Sequence, residues 1–127
     1  MGRLQAVGDG ADIRVIVDYA HTPDALERAI RAVQDTENAG AVWVLFGCGG
    51  DRDPGKRAEM GAIACQFADR VIVTSDNPRS EAPEAIIDDI LRGCDDSPIV
   101  ESDRATAIAL VIAEAKMGDI VLIAGKG

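Results

Sequence analysis

The sequence predicts an α/β domain: a mostly parallel sheet of about five or six strands, flanked by helices and preceded by one antiparallel strand. Short runs of Val, Ile and Leu alternate with amphipathic segments of about a dozen residues, which is the order of successive βαβ units. A length of 127 residues suits one domain with one core. Because aromatic residues make up only 3% of the chain, we expect aliphatic side chains to fill that core.

The predicted strands are apolar runs bounded by glycine or polar residues. The first, at residues 4–7, precedes a Gly8-Asp9-Gly10 turn and is expected to pair antiparallel with the second. The parallel strands are predicted at residues 14–18, 42–46, 71–74, 99–100 and 120–124.

Four helices are predicted between these strands, because apolar residues recur there every three or four positions. Thr22 before Pro23, and Asp103, are predicted N-caps. Gly40 and Gly118 are predicted to lie just past the ends of the first and fourth helices. The apolar stripes are Leu26/Ala29/Ile30/Val33, Met60/Ile63/Ala64/Phe67, Ile86/Ile87/Ile90/Leu91 and Ile108/Val111/Ile112/Ala115.

Charge and composition exclude several classes of function. The net charge is -9, and no Lys/Arg cluster interleaved with aromatic residues interrupts it, so neither nucleic acid nor an anionic membrane is expected as a partner. The chain has no apolar run of membrane-spanning length and no signal-peptide pattern, so a cytoplasmic location is expected. The three cysteines form no C-x-x-C pair and are expected to be reduced thiols.

Residues suited to binding follow the predicted parallel strands, at the edge of the sheet where the strands' carboxyl ends and the helix N-termini meet. The opposite connections, such as residues 38–40 and 94–97, contain ordinary turn residues. We therefore expect a binding site at the carboxyl edge. The segments concerned are residues 18–24, 47–53, 75–79, 101–104 and 125–127.

The glycine-rich segment at residues 47–53 matches a dinucleotide-binding fingerprint only in part. Arg52 stands where the third glycine belongs, and no acidic residue ends the next strand at the required distance, so NAD binding is not expected. The glycines would let a ligand approach the backbone, and Arg52 offers a planar pair of donors to a carboxylate or phosphate. A tight turn with a solvated arginine is the alternative interpretation.

The segment Ser75-Asp76-Asn77-Pro78-Arg79 suits a zwitterion. Asp76 and Asn77 can accept hydrogen bonds from an ammonium group, and Arg79 can bind a carboxylate through two parallel hydrogen bonds. An ordinary Asn-Pro turn with solvated charges is the alternative.

Two single residues have more than one interpretation. His21 is the only histidine, and no carboxylate stands at ligand spacing from it, so no metal site is predicted. It contacts a phosphate, acts as an acid or base, or is an ordinary loop histidine. Cys48 has the position of a nucleophile near a helix N-terminus, but it lacks an evident base, so a packing role is favoured.

Five motifs, in order along essentially the whole chain, resemble the C-terminal domain of the Mur ligase family. The Asp-Asn-Pro-Arg form is similar to the meso-diaminopimelate-adding (MurE-type) branch rather than the lysine-adding one. The motifs are Gly2-Arg3-Leu4-Gln5, Asp18-Tyr19-Ala20-His21-Thr22-Pro23-Asp24-Ala25-Leu26, Phe46-Gly47-Cys48-Gly49-Gly50-Asp51-Arg52-Asp53 with Lys56-Arg57, Asp76-Asn77-Pro78-Arg79 and Gly125-Lys126-Gly127.

The resemblance implies a Rossmann-like domain of an ATP-dependent amide ligase of bacterial peptidoglycan synthesis. In such enzymes ATP and Mg2+ convert a carboxyl group of UDP-N-acetylmuramoyl-L-alanyl-D-glutamate to an acyl phosphate, which an amino group of meso-diaminopimelate attacks. Arg79 would read the distal carboxylate that lysine lacks. Arg3, Asp18 and His21 would face the nucleotide or the transferred phosphate, with His21 the one candidate for a catalytic role. The residues implied to bind meso-diaminopimelate are Arg52, Asp76, Asn77, Pro78, Arg79 and Gly125.

The same resemblance implies that residues 1–127 are one truncated domain of a three-domain enzyme. The chain contains no G-x-x-x-x-G-K-[S/T] sequence, and the family's last motif continues into His-Glu after Gly-Lys-Gly. A central domain would hold most of the ATP and Mg2+, and an N-terminal domain the UDP group. The chain alone is expected to hold no cofactor, to bind meso-diaminopimelate weakly and not to catalyse. Its expected partners are small-molecule substrates and the enzyme's other domains.

A receiver-type signalling module, or another nucleotide- or phosphate-binding α/β domain, is the alternative function. Asp18, Thr74 and Lys126 superficially suit a receiver. However, the acidic pair expected at a receiver's first strand and a phosphoacceptor aspartate at the third are both missing. The ligase interpretation is therefore preferred.

Overall fold

The structure is a computed structural model that describes residues 3–7, 13–20, 22–35, 40–50, 55–95 and 98–124. None of the helices in these ranges is both long enough and apolar enough to cross a membrane. The strands are β1 (Arg3–Val7), β2 (Ile13–Asp18), β3 (Val42–Phe46), β4 (Arg70–Val73), β5 (Ile99–Val100) and β6 (Ile120–Ala124). The helices are α1 (Pro23–Gln34), α2 (Gly55–Phe67), α3 (Pro83–Leu91) and α4 (Arg104–Glu114).

The six strands form one sheet in the order β1-β2-β6-β3-β4-β5. β1 runs antiparallel to β2, and the other neighbouring pairs are parallel. The predicted fold class, including its antiparallel first strand, is therefore confirmed. The predicted strand ends are right to within one residue; β4, for example, ends at Val73 rather than Thr74.

Alternate residues of the central strands face two separate layers of core, as the two-residue period of a strand requires. On one side, Val44 and Phe46 pack in a cluster with buried side chains of α1, α2 and α3. On the other side, Trp43 and Leu45 pack with Ala107 and Val111 of α4. The sheet is thus covered on both faces, and all five residues of β3 are buried.

The predicted N-caps are confirmed, whereas the predicted roles of two glycines are wrong. Thr22 accepts a hydrogen bond from the Ala25 nitrogen, and Asp103 accepts one from the Thr106 nitrogen. The C-caps are Asp35 for α1 and Ala115 for α4, because both helices end several residues before Gly40 and Gly118. Gly40 instead donates a backbone hydrogen bond to the Gly118 carbonyl at 2.8 Å, at the opposite end of the sheet from the predicted site.

The five parallel strands end level with one another. Asp18 pairs in register with Ala124, Ala124 with Phe46, Phe46 with Val73, and Val73 with Val100. The segments that follow these residues therefore leave the sheet side by side along one edge. This register makes the carboxyl edge a single surface.

Candidate functional site at the carboxyl edge

The glycine-rich segment after β3 and the Asn-Pro segment after β4 are in direct contact. The Gly50 nitrogen donates a hydrogen bond to the Asn77 carbonyl at 3.0 Å, and Nη1 of Arg79 donates to the Gly50 carbonyl at 2.8 Å. A β-carbon at Gly50 would lie 1.7 Å from the Pro78 oxygen, which no side chain could tolerate. Glycine at this position is therefore what allows the two segments to meet.

The Asn-Pro segment has an unusual backbone. Asn77 and Arg79 both lie in the left-handed region, with φ of 49° and 54°. Asparagine adopts this conformation fairly readily, whereas for arginine it is disfavoured and requires support from surrounding contacts. Asp76 is half-buried, while Asn77 and Arg79 are exposed. One short turn thus carries a carboxylate, an amide and a guanidinium within four residues of the chain.

The segments that directly follow β3, β4 and β5 are packed just as closely. A β-carbon at Gly47 would lie 2.4 Å from the Thr74 carbonyl oxygen. The buried Thr74 hydroxyl donates to the Ser102 carbonyl at 3.4 Å, and the Ser75 nitrogen donates to the same oxygen at 3.3 Å. The segments after β3, β4 and β5 therefore form one continuous surface.

A buried arginine is hydrogen-bonded to the glycine-rich segment of this surface. Arg57, in the first turn of α2, is 2% exposed and bonds to the Gly49 carbonyl and to the carboxylates of Glu81 and Asp89. Sequence reasoning assigned no role to Arg57, because the predicted α2 stripe contained apolar residues only. Its spacing from Met60 and Ala64, three and seven positions, was the available signal.

Asp18 lies at the far side of the edge from the Asn-Pro segment. Its Oδ1 accepts a hydrogen bond from the Ala20 nitrogen at 3.0 Å, forming a local turn at the end of β2. Three strand spacings separate β2 from β4, which is about 14 Å. Tyr19, beside Asp18, is 52% exposed. The structure therefore separates Asp18 from the cluster around Asp76 and Arg79.

Cys48 has the environment of a packed thiol. It is half-buried, and its Sγ lies 3.9 Å from Sδ of Met60. Burial raises the pKa of Cys48 to about 11, with Arg57 partly opposing this shift and Asp76 adding to it. A raised pKa leaves little thiolate at neutral pH, so the structure favours packing over nucleophilic catalysis.

Three predicted site residues, Arg52, Gly125 and His21, lie outside the described residues. Arg3 begins β1, and its side chain is likewise outside what the structure describes. Within the described ranges, no group of three His, Cys, Asp or Glu side chains is placed to hold a metal ion. Of the predicted meso-diaminopimelate contacts, the structure thus places Asp76, Asn77, Pro78 and Arg79, and it brings these four together.

Comparison with known proteins gives consistent matches over the whole chain. Residues 2–127 match the protein family described as "Mur ligase, glutamate ligase domain". The chain is 55% identical over 128 residues to UDP-N-acetylmuramoyl-L-alanyl-D-glutamate--2,6-diaminopimelate ligase of Chromobacterium violaceum, and 53% identical over 127 residues to the protein of that name from Neisseria meningitidis. Each match covers 99% of this chain and 26% of the relative.

A solved structure of a ligase with the same name superposes on the chain with a TM-score of 0.88 and 45% sequence identity, covering 98% of this chain and 26% of that one. The chain therefore spans about a quarter of the length of the relatives it matches. The family model and the solved structure both match the chain over nearly its whole length. The chain belongs to the Mur ligase family, as its C-terminal, glutamate ligase domain.

Proposed function

We propose that the chain is the amino-acid-binding domain of an ATP-dependent ligase, and that it holds meso-diaminopimelate for addition to UDP-N-acetylmuramoyl-L-alanyl-D-glutamate in peptidoglycan synthesis. The names of its relatives include UDP-N-acetylmuramoyl-L-alanyl-D-glutamate and 2,6-diaminopimelate. The observation that carries the proposal is the Gly50–Arg79 contact, which holds an acid, an amide and a guanidinium in one turn.

The chemistry of this turn matches that of a diamino dicarboxylic acid. The carboxylate of Asp76 and the amide oxygen of Asn77 can accept hydrogen bonds from an ammonium group. Because Arg79 uses Nη1 to bond Gly50, its other N–H groups remain for a carboxylate. Diaminopimelate carries a second carboxylate where lysine has none, so Arg79 would discriminate between the two amino acids.

In the reaction, the chain's contribution would be orientation. ATP with Mg2+ would supply the phosphoryl group that activates the carboxyl group of UDP-N-acetylmuramoyl-L-alanyl-D-glutamate, and we assign both mainly to a central domain of the same enzyme. Within the described residues, no group of His, Cys, Asp or Glu side chains is suited to hold a metal ion. A rigid turn that fixes the amino acid would lower the entropic cost of the attack.

The family resemblance implies roles for the remaining site residues. Arg52, Gly125 and Pro78 would join Asp76, Asn77 and Arg79 around the amino acid. Asp18, Arg3 and His21 would face the nucleotide, and the distance between Asp18 and the Asn-Pro segment is consistent with two separate subsites. We propose that the chain works in the cytoplasm, together with the other domains, and does not ligate by itself.

Amide chemical-shift titrations of the chain with meso-diaminopimelate and with lysine test this function. We expect a saturable response to diaminopimelate at the amides of Gly50, Ser75, Asp76, Asn77 and Arg79, and a weaker one to lysine. Arg79→Lys keeps the charge but loses the planar donors, so it should reduce the preference for diaminopimelate, and Arg79→Ala should remove it. Arg28→Ala, an exposed arginine on α1, is the matched control and should leave both titrations unchanged.

Equal responses to the two amino acids, or none to either, would contradict the proposed substrate. ATP-dependent amide formation by the chain alone would contradict the requirement for further domains. Stable aspartyl phosphorylation by a small phosphodonor would support the receiver-type alternative instead.

A further inference from the structure

The side chain of Arg57 is buried beneath the junction between the glycine-rich and Asn-Pro segments. It is 2% exposed, and with Thr74 and Asp119 it is one of three buried polar or charged residues among those whose side chains the structure describes. A buried charge is costly unless it is paired, so its partners identify what it holds in place.

The guanidinium joins three separate parts of the chain. Nη2 donates to the Gly49 carbonyl at 3.2 Å and to Oε1 of Glu81 at 2.7 Å. Nη1 donates to Oε2 of Glu81 at 2.9 Å and to Oδ2 of Asp89 at 3.0 Å. Arg57 therefore ties the start of α2 to the glycine-rich segment, to the turn before α3, and to α3 itself.

These bonds flank the contact between the two binding segments. Gly49 immediately precedes Gly50, and the Glu81 nitrogen donates to the Pro78 carbonyl at 3.0 Å. Arg57 thus holds one residue on each side of the place where Gly50 meets Pro78. A shift of either segment would break at least one of its bonds.

Lysine could not replace arginine in this arrangement. The bonds to Glu81 are two parallel N–H···O bonds, one from each terminal nitrogen, which is a geometry that only a guanidinium provides. The hydrogen bond to Glu81 is the main cause that raises the pKa of Arg57 above its usual range, so the side chain stays charged.

We propose that Arg57 is a positioning residue for amino-acid binding: without touching the ligand, it sets the distance between the Gly49–Gly50 backbone and the turn that carries Asp76 and Arg79. This inference rests on the proposed function of that turn. A loss of stability alone leaves the affinity of the molecules that remain folded unchanged. Displacing the binding groups by a fraction of an ångström weakens that affinity. The effect should therefore appear in the affinity of the folded protein.

The test compares the wild type with Arg57→Lys, Glu81→Gln and Asp119→Asn, each titrated with meso-diaminopimelate at a temperature where circular dichroism shows all four to be folded. Asp119→Asn is the matched control, because Asp119 is also buried and bonded but lies at the opposite ends of the strands. We expect the Kd to rise about tenfold or more in Arg57→Lys and Glu81→Gln. It should stay at the wild-type value in Asp119→Asn, although that variant is also less stable.

Amide hydrogen exchange separates this inference from the proposed function. We expect faster exchange at Gly50 and Glu81, whose amides bond across and beside the junction, in Arg57→Lys but not in Asp119→Asn. Unchanged exchange, or an unchanged Kd, in folded Arg57→Lys would overturn the role of Arg57. A wild type that exchanges slowly there yet does not respond to diaminopimelate would overturn the proposed function, and with it the claim that Arg57 serves binding of this amino acid.

Discussion

Gly50 lies against Pro78 so closely that a β-carbon on Gly50 would fall 1.7 Å from the Pro78 carbonyl oxygen. These residues belong to segments that follow two neighbouring strands, β3 and β4, which end in register at Phe46 and Val73. The contact therefore follows from strand order and register together with the absence of a side chain at one position.

Gly50→Ala is expected to separate the two segments. The overlap is with backbone, which cannot move aside as a flexible side chain could, so the bonds from Gly50 to Asn77 and from Arg79 to Gly50 should both be lost. We expect a lower melting temperature and loss of the diaminopimelate response in the chemical-shift titration.

Gly118→Ala is the matched control. Its φ of +89° makes alanine strained, but the nearest atom to a new β-carbon is 4.0 Å away and the position is remote from the site. It should lower stability by about 1 kcal/mol and leave the titration unchanged. If Gly50→Ala retained wild-type affinity, the contact would not be needed for binding.

Gly93→Ala is expected to destabilise the packing of α2 against the end of α3. A β-carbon there would lie 1.8 Å from the Ala58 carbonyl oxygen and 3.0 Å from the Ala62 nitrogen. The helices must then move apart, and the free energy of unfolding measured with urea should fall by about 2 kcal/mol. Asp88→Ala, an exposed position on α3, should change it little; equal effects of the two substitutions would contradict close packing at Gly93.

The sequence predicted the sheet and helices well because their signals are local. The spacing of apolar residues can be recognised within a short stretch of sequence, and so can capping residues such as Thr22 and Asp103. The Gly50–Pro78 contact could not be predicted, because it joins positions 28 residues apart and depends on which strands are neighbours. Asp76 and Arg79 were identified by residue type, but the bond from Arg79 to Gly50 was not.

Two buried charged residues were also missed in the prediction from sequence. The burial of Arg57 and Asp119 was not predicted, because charged side chains are rarely buried unless paired and several of their partners lie far away in the chain, such as Glu81 and Asp89 for Arg57 and Trp43 for Asp119. Gly40 and Gly118 were assigned to helix ends for a similar reason: their common neighbour, Asp119, is recognisable only in the folded chain.

Asp119 should make stability depend on pH. Burial alone would raise its pKa, but hydrogen bonds from the Lys116 nitrogen, the Trp43 indole and the Ala41 nitrogen lower it on balance. A carboxyl group with a lowered pKa in the folded state stabilises the fold above its unfolded pKa of about 3.9, and this contribution is lost as pH falls through the folded value.

Urea unfolding of the wild type and Asp119→Asn, followed from about pH 7 to about pH 3, measures this contribution. We expect the variant to be less stable by about 2 kcal/mol at neutral pH, because an amide nitrogen would face backbone donors. The difference should narrow as the solution is acidified. A difference that stays constant across this range would mean that ionisation of Asp119 contributes nothing to stability.

Cys48 should react slowly with iodoacetamide in the folded chain. Burial raises its pKa to about 11, so only about one thiol in a thousand is ionised near pH 8, and the thiolate is the reactive form. Peptide mapping by mass spectrometry distinguishes Cys48 from Cys65 and Cys94, and the urea-unfolded chain provides the reference rate. We expect alkylation of Cys48 to be at least about tenfold slower in the folded chain. Alkylation at the unfolded rate would instead indicate that Cys48 has an accessible, activated thiolate, as a nucleophile requires.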